Sequence, residues 1–549
     1  MSEADAPYGR REIGQVISGS LLNGLTMKLH PDQPIEEIRA GKFVVIQGDK
    51  SEFFSMITDV TLSTSAQGLL DNPPSRDDEL MHKVLAGTTT YGTVALRPML
   101  MVDSEDNLLP VKSIPGHFRP VLEANAQDVN RVFGSEDKDT KYFHVGTPLD
   151  MGETPVCLNL ERFVERSNGI FGKSGTGKTF LTRIVLCGVI KNQRAVNLVF
   201  DMHSEYGWKG TVEGERAEVR GLKQYFPDRV AVFSLDPDSS RRRGAPIDFE
   251  VKIPYGQVTV EDIILLQNEL NLTSTALETC YALVSRFGES RWLSELIRMD
   301  ADAIKDFCDV NNVNQAALSA LQRKLRVLTE SCKSFLIDER ETPIDVDAVR
   351  QIMTYLEGGK NVVLEFGQHT QPLRYMLVAN ILTRRIHDYY VKKTEESLGG
   401  DKPKPRPLVI TIEEAHKFLG PSLANQTIFG TIAREMRKYN VTLLVVDQRP
   451  SGIDSEILSQ VGTKITCLLN DDKDIDAVLT GVSNASGLRG VLASLDSKQQ
   501  ALVLGHAVPM PVVIQTRHYD DEAFRLSMGV KSPEERDDAI KLEIERDFA

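Results

Sequence analysis

The sequence predicts a multidomain chain: a small all-β domain, then an α/β core of parallel-sheet type split by a helical insertion, then a charged C-terminal arm. Three features predict it. Short β-rich segments broken by Gly, Pro and Asp fill residues 1–145. Near-continuous apolar runs ending in polar residues recur beyond them, as in a parallel sheet covered on both faces. A helical pattern separates two groups of those runs. At 549 residues the chain is too long for one core.

Residues 1–145 hold "EIGQVISGS", "LTMKLH", "KFVVIQG", "FFSMITDVTLS" and "TYGTVALRPML", which suit a small barrel or sandwich. Residues 146–257 form the first part of the α/β core. There "SNGIF" reads as a buried strand, "TFLTRIVLCGVI" as a buried helix, and "AVNLVFD" and "RVAVFSLD" as further strands. Residues 258–345 are the helical insertion. Thr259 can cap its first helix with Asp262 in the capping-box position, and Ala317, Leu318, Leu321, Leu325 and Leu328 repeat at helical spacing. Residues 346–520 resume the core with "NVVLEFG", "PLVITIEEAH", "VTLLVVDQRP", "TKITCLLND" and a closing β pair. Residues 521–549 read as a surface helix or arm.

The composition bounds the partners. The chain is 41% hydrophobic and 26% charged, with a net charge of −14. An acidic protein is not coated with nucleic acid, so any DNA contact is expected to be local, as inside a pore. No apolar run approaches the ~20 residues that cross a bilayer, and the N-terminus lacks a signal-peptide pattern. Six scattered cysteines without a C-x-x-C pair suit a reducing cytoplasm.

The most specific signal is "GKSGTGKT", residues 172–179. Gly172, Gly177, Lys178 and Thr179 fit G-x-x-x-x-G-K-[ST] between a strand and a helix. Glycines let the backbone turn N–H groups toward phosphate, and the helix N-terminus adds its dipole. The expected nucleotide-binding set is Gly172, Ser174, Gly175, Thr176, Gly177, Lys178, Thr179 and Phe180. Lys178 is expected to reach the β/γ-phosphates of ATP and Thr179 to hold Mg²⁺.

Hydrolysis also needs a second support for the metal and a group that orients water. "LVITIEEAH" supplies two acids at a strand end: Glu413 for Mg²⁺, through water, and Glu414 for the water that attacks. Gln448, ending the next strand, can touch the γ-phosphate, and equally can belong to a turn before Pro450. Arg434, Arg437 and Lys438 in "IAREMRKYN" read as one helix, with Arg434 and Lys438 at i, i+4. Asp201, His203 and Glu205 in "DMHSEYGW" have metal-ligand chemistry, but no further His or Cys stands nearby, so a supporting role near the γ-phosphate is expected. "SRRRGAP" reads as a basic loop. Arg241, Arg242 and Arg243 there are candidate DNA-phosphate contacts, although such a run is by default a solvated face.

Together, "GKSGTGKT", "DMHSEYGW", "IEEAHKFL", "IAREMRKY" and "VVDQRPSGIDSEILSQVGTKI" resemble the HerA family, within the HerA–FtsK group of ring-shaped DNA-pumping ATPases. Their order and spacing match it across about 150–520, and the β-rich N-terminus looks like its HAS-barrel. The resemblance implies a RecA-like P-loop ATPase core and a homo-hexamer that uses ATP and Mg²⁺ and carries double-stranded DNA in its central channel. It implies Arg437 or Arg434 acting on the γ-phosphate, Gln448 as its sensor, and Arg166 serving the neighbouring subunit's ATP. Glu413 stands where many relatives carry Asp, which is shorter but has the same charge. Family members partner the NurA nuclease in end resection, or sirtuin-like or nuclease effectors in antiphage defence. A ring that activates an effector without translocating, and a secretion-type pump, are the alternatives.

Overall fold

The computed structural model describes residues 9–530 apart from 67–70, 72–74, 76–80, 82, 83, 86–88, 150, 212–217, 341–346, 370, 401, 402, 425, 426, 483, 484, 497 and 498. The first domain is a closed barrel rather than a sandwich. Its strands are β1 (Glu12–Ser20), β2 (Gly24–Leu29), β3 (Phe43–Gln47), β4 (Glu52–Thr64), β5 (Thr90–Val102), the short β6 (Leu108–Leu109) and β7 (Pro120–Glu123). They run in the order β2-β1-β7-β3-β4-β5-β6. β5 returns onto β2 through Leu25↔Leu96 to Lys28↔Thr93, which removes the free edges of both. Val16, Met27, Val44, Ile46, Ile57 and Val94 fill the interior. The alternate residues Phe43 and Val45 face outward, with Phe54, Leu100 and Val102, onto Val129, Val132, Phe133 and Phe143. That apolar seam seats the barrel on the core. Arg10 reinforces it, being buried between Glu52 and Asp128.

The core strands are β8 (Tyr142–Pro148), β9 (Val156–Asn159), β10 (Asn168–Phe171), β11 (Val196–Asp201), the hairpin pair β12 (Gly210–Thr211) and β13 (Glu218–Val219), β14 (Val230–Ser234) and β15 (Phe249–Glu250). There follow β16 (Ile253–Pro254), β17 (Leu336–Ile337), β18 (Asn361–Glu365), β19 (Leu408–Glu413), β20 (Val441–Asp447), β21 (Thr463–Thr466), β22 (Gln500–Gly505) and β23 (Val512–Thr516). Twelve of them make one sheet, β15-β14-β18-β11-β19-β20-β10-β21-β22-β23-β8-β9, among the described residues. The run from β15 to β21 is parallel, and the rest is antiparallel. β8 enters this sheet at Tyr142, so the core begins a few residues before 146.

The parallel strands are buried throughout, as their apolar runs require. The helix Lys178–Lys191 packs on the sheet with ten consecutive buried residues, Leu181–Ile190.

The insertion consists of helices Val260–Leu265, Ser274–Phe287, Trp292–Arg298, Ala301–Asn311 and Gln315–Ser331. The parallel pair Ile253↔Leu336 closes its base. Asp262 accepts from the Thr259 N–H at 2.8 Å, and also from Arg384 at 2.8 Å and Asn380 at 2.6 Å. The capping residue thus ties the insertion to the 27-residue helix Pro372–Leu398. No helix among the described residues is long and apolar enough to cross a membrane. The helix Glu522–Ser527 starts the C-terminal region, and residues 531–549 of the expected arm lie outside the described residues.

Candidate active site

Five adjacent parallel strands, β18, β11, β19, β20 and β10, end at one carboxyl edge of the sheet, and the first four deliver acids there. Glu365 ends β18 opposite Asp201 of β11, Glu413 ends β19, and Asp447 ends β20 opposite Phe171 of β10. The phosphate-binding loop leaves β10 at that same edge, where open α/β sheets hold ligands.

The loop's backbone needs its glycines. Gly177 caps the helix at φ 93°, in the left-handed region. Gly172, at φ 154°, lies so close to β21's end that a Cβ would come 2.7 Å from Cys467 Cβ. Thr176 is buried and its hydroxyl donates to the Lys173 carbonyl at 2.7 Å, while Ser174 and Gly175 face outward. Lys178 Nζ donates to the Lys173 carbonyl at 2.9 Å, so it already lies across the loop. Burial lowers the Lys178 ammonium, and the acids of the site oppose that. Thr179 is half-buried in the first turn. Phe180 turns toward Tyr519, ring centroids 6.0 Å apart, under the guanidinium of Arg183.

The two strand-end acids differ sharply. Glu413 is buried and Oε1 accepts from the Tyr206 hydroxyl at 2.8 Å, while Oε2 is buried without a hydrogen-bond donor among the described residues. Burial pushes its carboxyl up to about 8; the Tyr206 hydrogen bond opposes this and the charge of Asp201 adds to it. An orphaned buried carboxylate oxygen and a threonine hydroxyl suit a hard divalent cation, so the residues fit the expected magnesium ion. Glu414 sits at φ 49°, a left-handed backbone that a non-glycine residue adopts at some cost. Its carboxylate Oε1 accepts from Gln448 Nε2 at 3.0 Å. Asp447 binds the N–H and Nδ1 of His416 at 2.8 and 3.0 Å. Burial opposes the ionised Asp447, but these hydrogen bonds and that of the Arg449 N–H hold it below its ordinary value.

Asp201 folds a loop. Its carboxylate accepts from the N–H groups of Glu205, Tyr206 and Gly207 at 2.8, 2.8 and 3.2 Å. Burial and the charge of Glu365 raise it. No metal-binding cluster of His, Cys, Asp and Glu occurs among the described residues.

The arginines depart from the expected pattern. "SRRRGAP" begins in the last residues of a helix, Pro237–Arg242, and leaves it at Arg243. Arg243 turns inward to buried Glu365 at 2.7 Å, Arg241 pairs with Asp238, and Arg242 is exposed. The α-helix carrying Arg434 stops at Glu435, and a 3₁₀ turn, Met436–Tyr439, carries Arg437 and Lys438. The tighter turn breaks the i, i+4 relation of Arg434 and Lys438, because 3₁₀ residues advance faster around the axis. Arg434 Nη2 donates to the Ala424 carbonyl at 3.2 Å; the side chain of Arg437 lies outside the described residues. Arg166 is exposed and precedes β10, at the opposite end of that strand from the loop.

Sequence reasoning did not single out Tyr206, Tyr375, Glu365 or Asp447. Glu365 and Asp447 carried a signal: each ends an apolar run as Asp201 does. Tyr375 carried none, lying inside a long helix.

A phosphate loop on a parallel sheet, with paired acids at the neighbouring strand ends, defines a P-loop ATPase. The sequence model of the HerA helicase central domain matches residues 143–386, and that of the HAS barrel domain matches residues 13–112. A DNA double-strand break repair helicase HerA of Sulfurisphaera tokodaii is 34% identical over 501 residues, covering 88% of this chain and 90% of the relative. That of Saccharolobus solfataricus is 24% identical over 483 residues, 87% of each chain. The chain belongs to the HerA helicase family and is an ATP-hydrolysing enzyme. A structure of VirB4 of Thermoanaerobacter pseudethanolicus covers 70% of this chain and 99% of its own, at 13% identity and a TM-score of 0.46. At that similarity it says nothing of function.

Proposed function

We propose that this protein hydrolyses ATP to move double-stranded DNA through the central channel of a homo-hexamer, in the cytoplasm, acting with a NurA-like nuclease in DNA end processing. The observation that carries the reading is the Gln448–Glu414 hydrogen bond of 3.0 Å beside the phosphate loop. It joins the candidate sensor to the candidate base, as a motor that couples phosphate loss to movement needs. The names of the relatives, DNA double-strand break repair helicases, support end processing over defence.

In this reading Lys178 and the loop N–H groups hold the phosphates, and Thr179 and Glu413 hold Mg²⁺. When bound, that ion neutralises charge developing on the phosphate oxygens. Glu414 orients a water and takes its proton once Gln448 has turned to the γ-phosphate. Arg434 or Arg437 adds positive charge to the same phosphate. Arg166 lies at the wrong end of β10 to reach the loop of its own subunit, which supports a role on a neighbour's ATP. Arg241 and Arg242 are the exposed candidates for DNA phosphate, with Arg243 engaged on Glu365.

The test is single-molecule translocation on duplex DNA bearing a bulky block on one strand. A ring enclosing the duplex stalls at a block on either strand. Passage of a block on one strand at undiminished speed overturns the duplex-in-channel reading.

A further inference from the structure

We infer that Tyr206 is a positioning residue for the metal-binding carboxylate: its hydroxyl takes one oxygen of Glu413 and leaves the other to the cation. The inference rests on the reading of Glu413 as a metal ligand.

Three observations carry it. Tyr206 and Glu413 are both buried, and the hydroxyl meets Oε1 at 2.8 Å while Oε2 stays without a donor among the described residues. A carboxylate free to rotate about its last bond presents either oxygen; this one is held by a single fixed donor. The backbone of Glu413 is held as well. The Tyr375 hydroxyl donates to its carbonyl at 3.2 Å and lies 3.3 Å from its N–H. One tyrosine therefore sets the strand end and the other sets the side-chain torsion.

The loop that presents Tyr206 is itself braced. Asp201 gathers three successive N–H groups, with Ser204 in the left-handed region at φ 57°. Gly207 follows, where a Cβ would stand 2.6 Å from Glu365 Oε1, so any larger residue there displaces the Glu365 carboxylate. Glu365 is held in turn by Ser240 at 3.1 Å and Arg243 at 2.7 Å. This gives "DMHSEYGW" and "SRRRGAP" one purpose: they hold a phenol in place over two strand ends. Outer partners of metal ligands commonly govern affinity about as strongly as this, ~10- to 100-fold on removal.

The experiment measures Mn²⁺ bound to the assembled, ADP-loaded protein by electron paramagnetic resonance. Tyr206→Phe is expected to weaken Mn²⁺ about 10-fold while ADP affinity without metal and the unfolding temperature stay near the parent's. A merely space-filling Tyr206 would leave Mn²⁺ affinity within twofold, which overturns the inference. Glu413→Gln is measured alongside. If it weakens Mn²⁺ and Tyr206→Phe does not, the positioning role alone is wrong. If neither weakens it, the reading of Glu413 as ligand fails and the inference falls with it. Should Tyr206→Phe lose metal-free ADP binding, Tyr206→Leu, which likewise lacks a donor and is no larger than the parent side chain, replaces it under the same criterion.

Discussion

Arg243→Ala separates two readings of the basic run 241–243. If Arg243 holds Glu365, its removal leaves a carboxylate of 0% relative exposure with, among the described residues, the Ser240 hydroxyl as its side-chain partner. Breaking a fully buried pair costs about 3–5 kcal/mol, because the remaining charge is uncompensated. The Arg243 side chain is 34% exposed, so water can enter where the guanidinium stood, and screening lowers the figure. About 2–3 kcal/mol is expected, or roughly 2–4 °C in the melting of a core this large. Thermal unfolding with a core-localised probe measures it, since the barrel can melt separately. Arg243→Ala combined with Glu365→Gln should recover part of the loss, because a neutral amide is cheaper to bury. Arg242→Ala should fall within about 0.5 kcal/mol of the parent, as a surface change does. Duplex affinity is measured in parallel across salt. Arg243→Ala should keep the parent's log–log slope. A parent-like melting temperature with a slope shallower by about 0.9 would refute the reasoning and return Arg243 to the DNA.

The remaining expectations concern chemistry and assembly. Lys178→Ala should weaken ATP binding about 10- to 100-fold, the worth of a charged hydrogen bond of ~1.5–3 kcal/mol; fluorescent-nucleotide titration checks it. Glu414→Gln should bind ATP normally and lose hydrolysis by about 100-fold or more, and near-parent turnover would remove Glu414 as the base. Arg166→Ala mixed with Lys178→Ala should regain part of the ATPase rate lost by each alone, because the defects fall in different composite sites; no recovery in demonstrably mixed rings counts against Arg166 acting across subunits. His416 is raised by its hydrogen bond to Asp447, so the pairing is fully present below histidine's ordinary value and fades as pH rises through the raised one. His416→Asn should flatten that alkaline loss of stability, and an unchanged pH profile would show that the pair contributes nothing.

How much of this was legible in the sequence varies with the kind of signal. The phosphate loop and the Glu413–Glu414 pair were legible because backbone chemistry forces them. A tight turn against Cys467 admits glycine at 172, and a buried strand that ends in acids advertises its carboxyl edge. The barrel was legible as short β segments, and as a barrel through the family resemblance, but periodicity alone did not separate it from a sandwich. Closure depends on β5 reaching β2 across about seventy residues of chain, and periodicity is blind to that pairing. The placement of the basic run was not legible for a related reason. A run of three looks alike to a composition count, yet one helical turn sends Arg242 outward and Arg243 onto Glu365, 122 residues away. The same holds for Tyr206. As a letter in "DMHSEYGW" it is one aromatic among polar neighbours, and only the return of β19 beside β11 brings its hydroxyl to Glu413, 207 residues on. Local motifs name the groups that touch the nucleotide, since their spacing follows backbone geometry. The groups that aim them are supplied by strand order, and strand order is a long-range property. In this sheet the residues most exposed to misreading are therefore those one contact behind the phosphate loop, and there Tyr206→Phe has the most to teach.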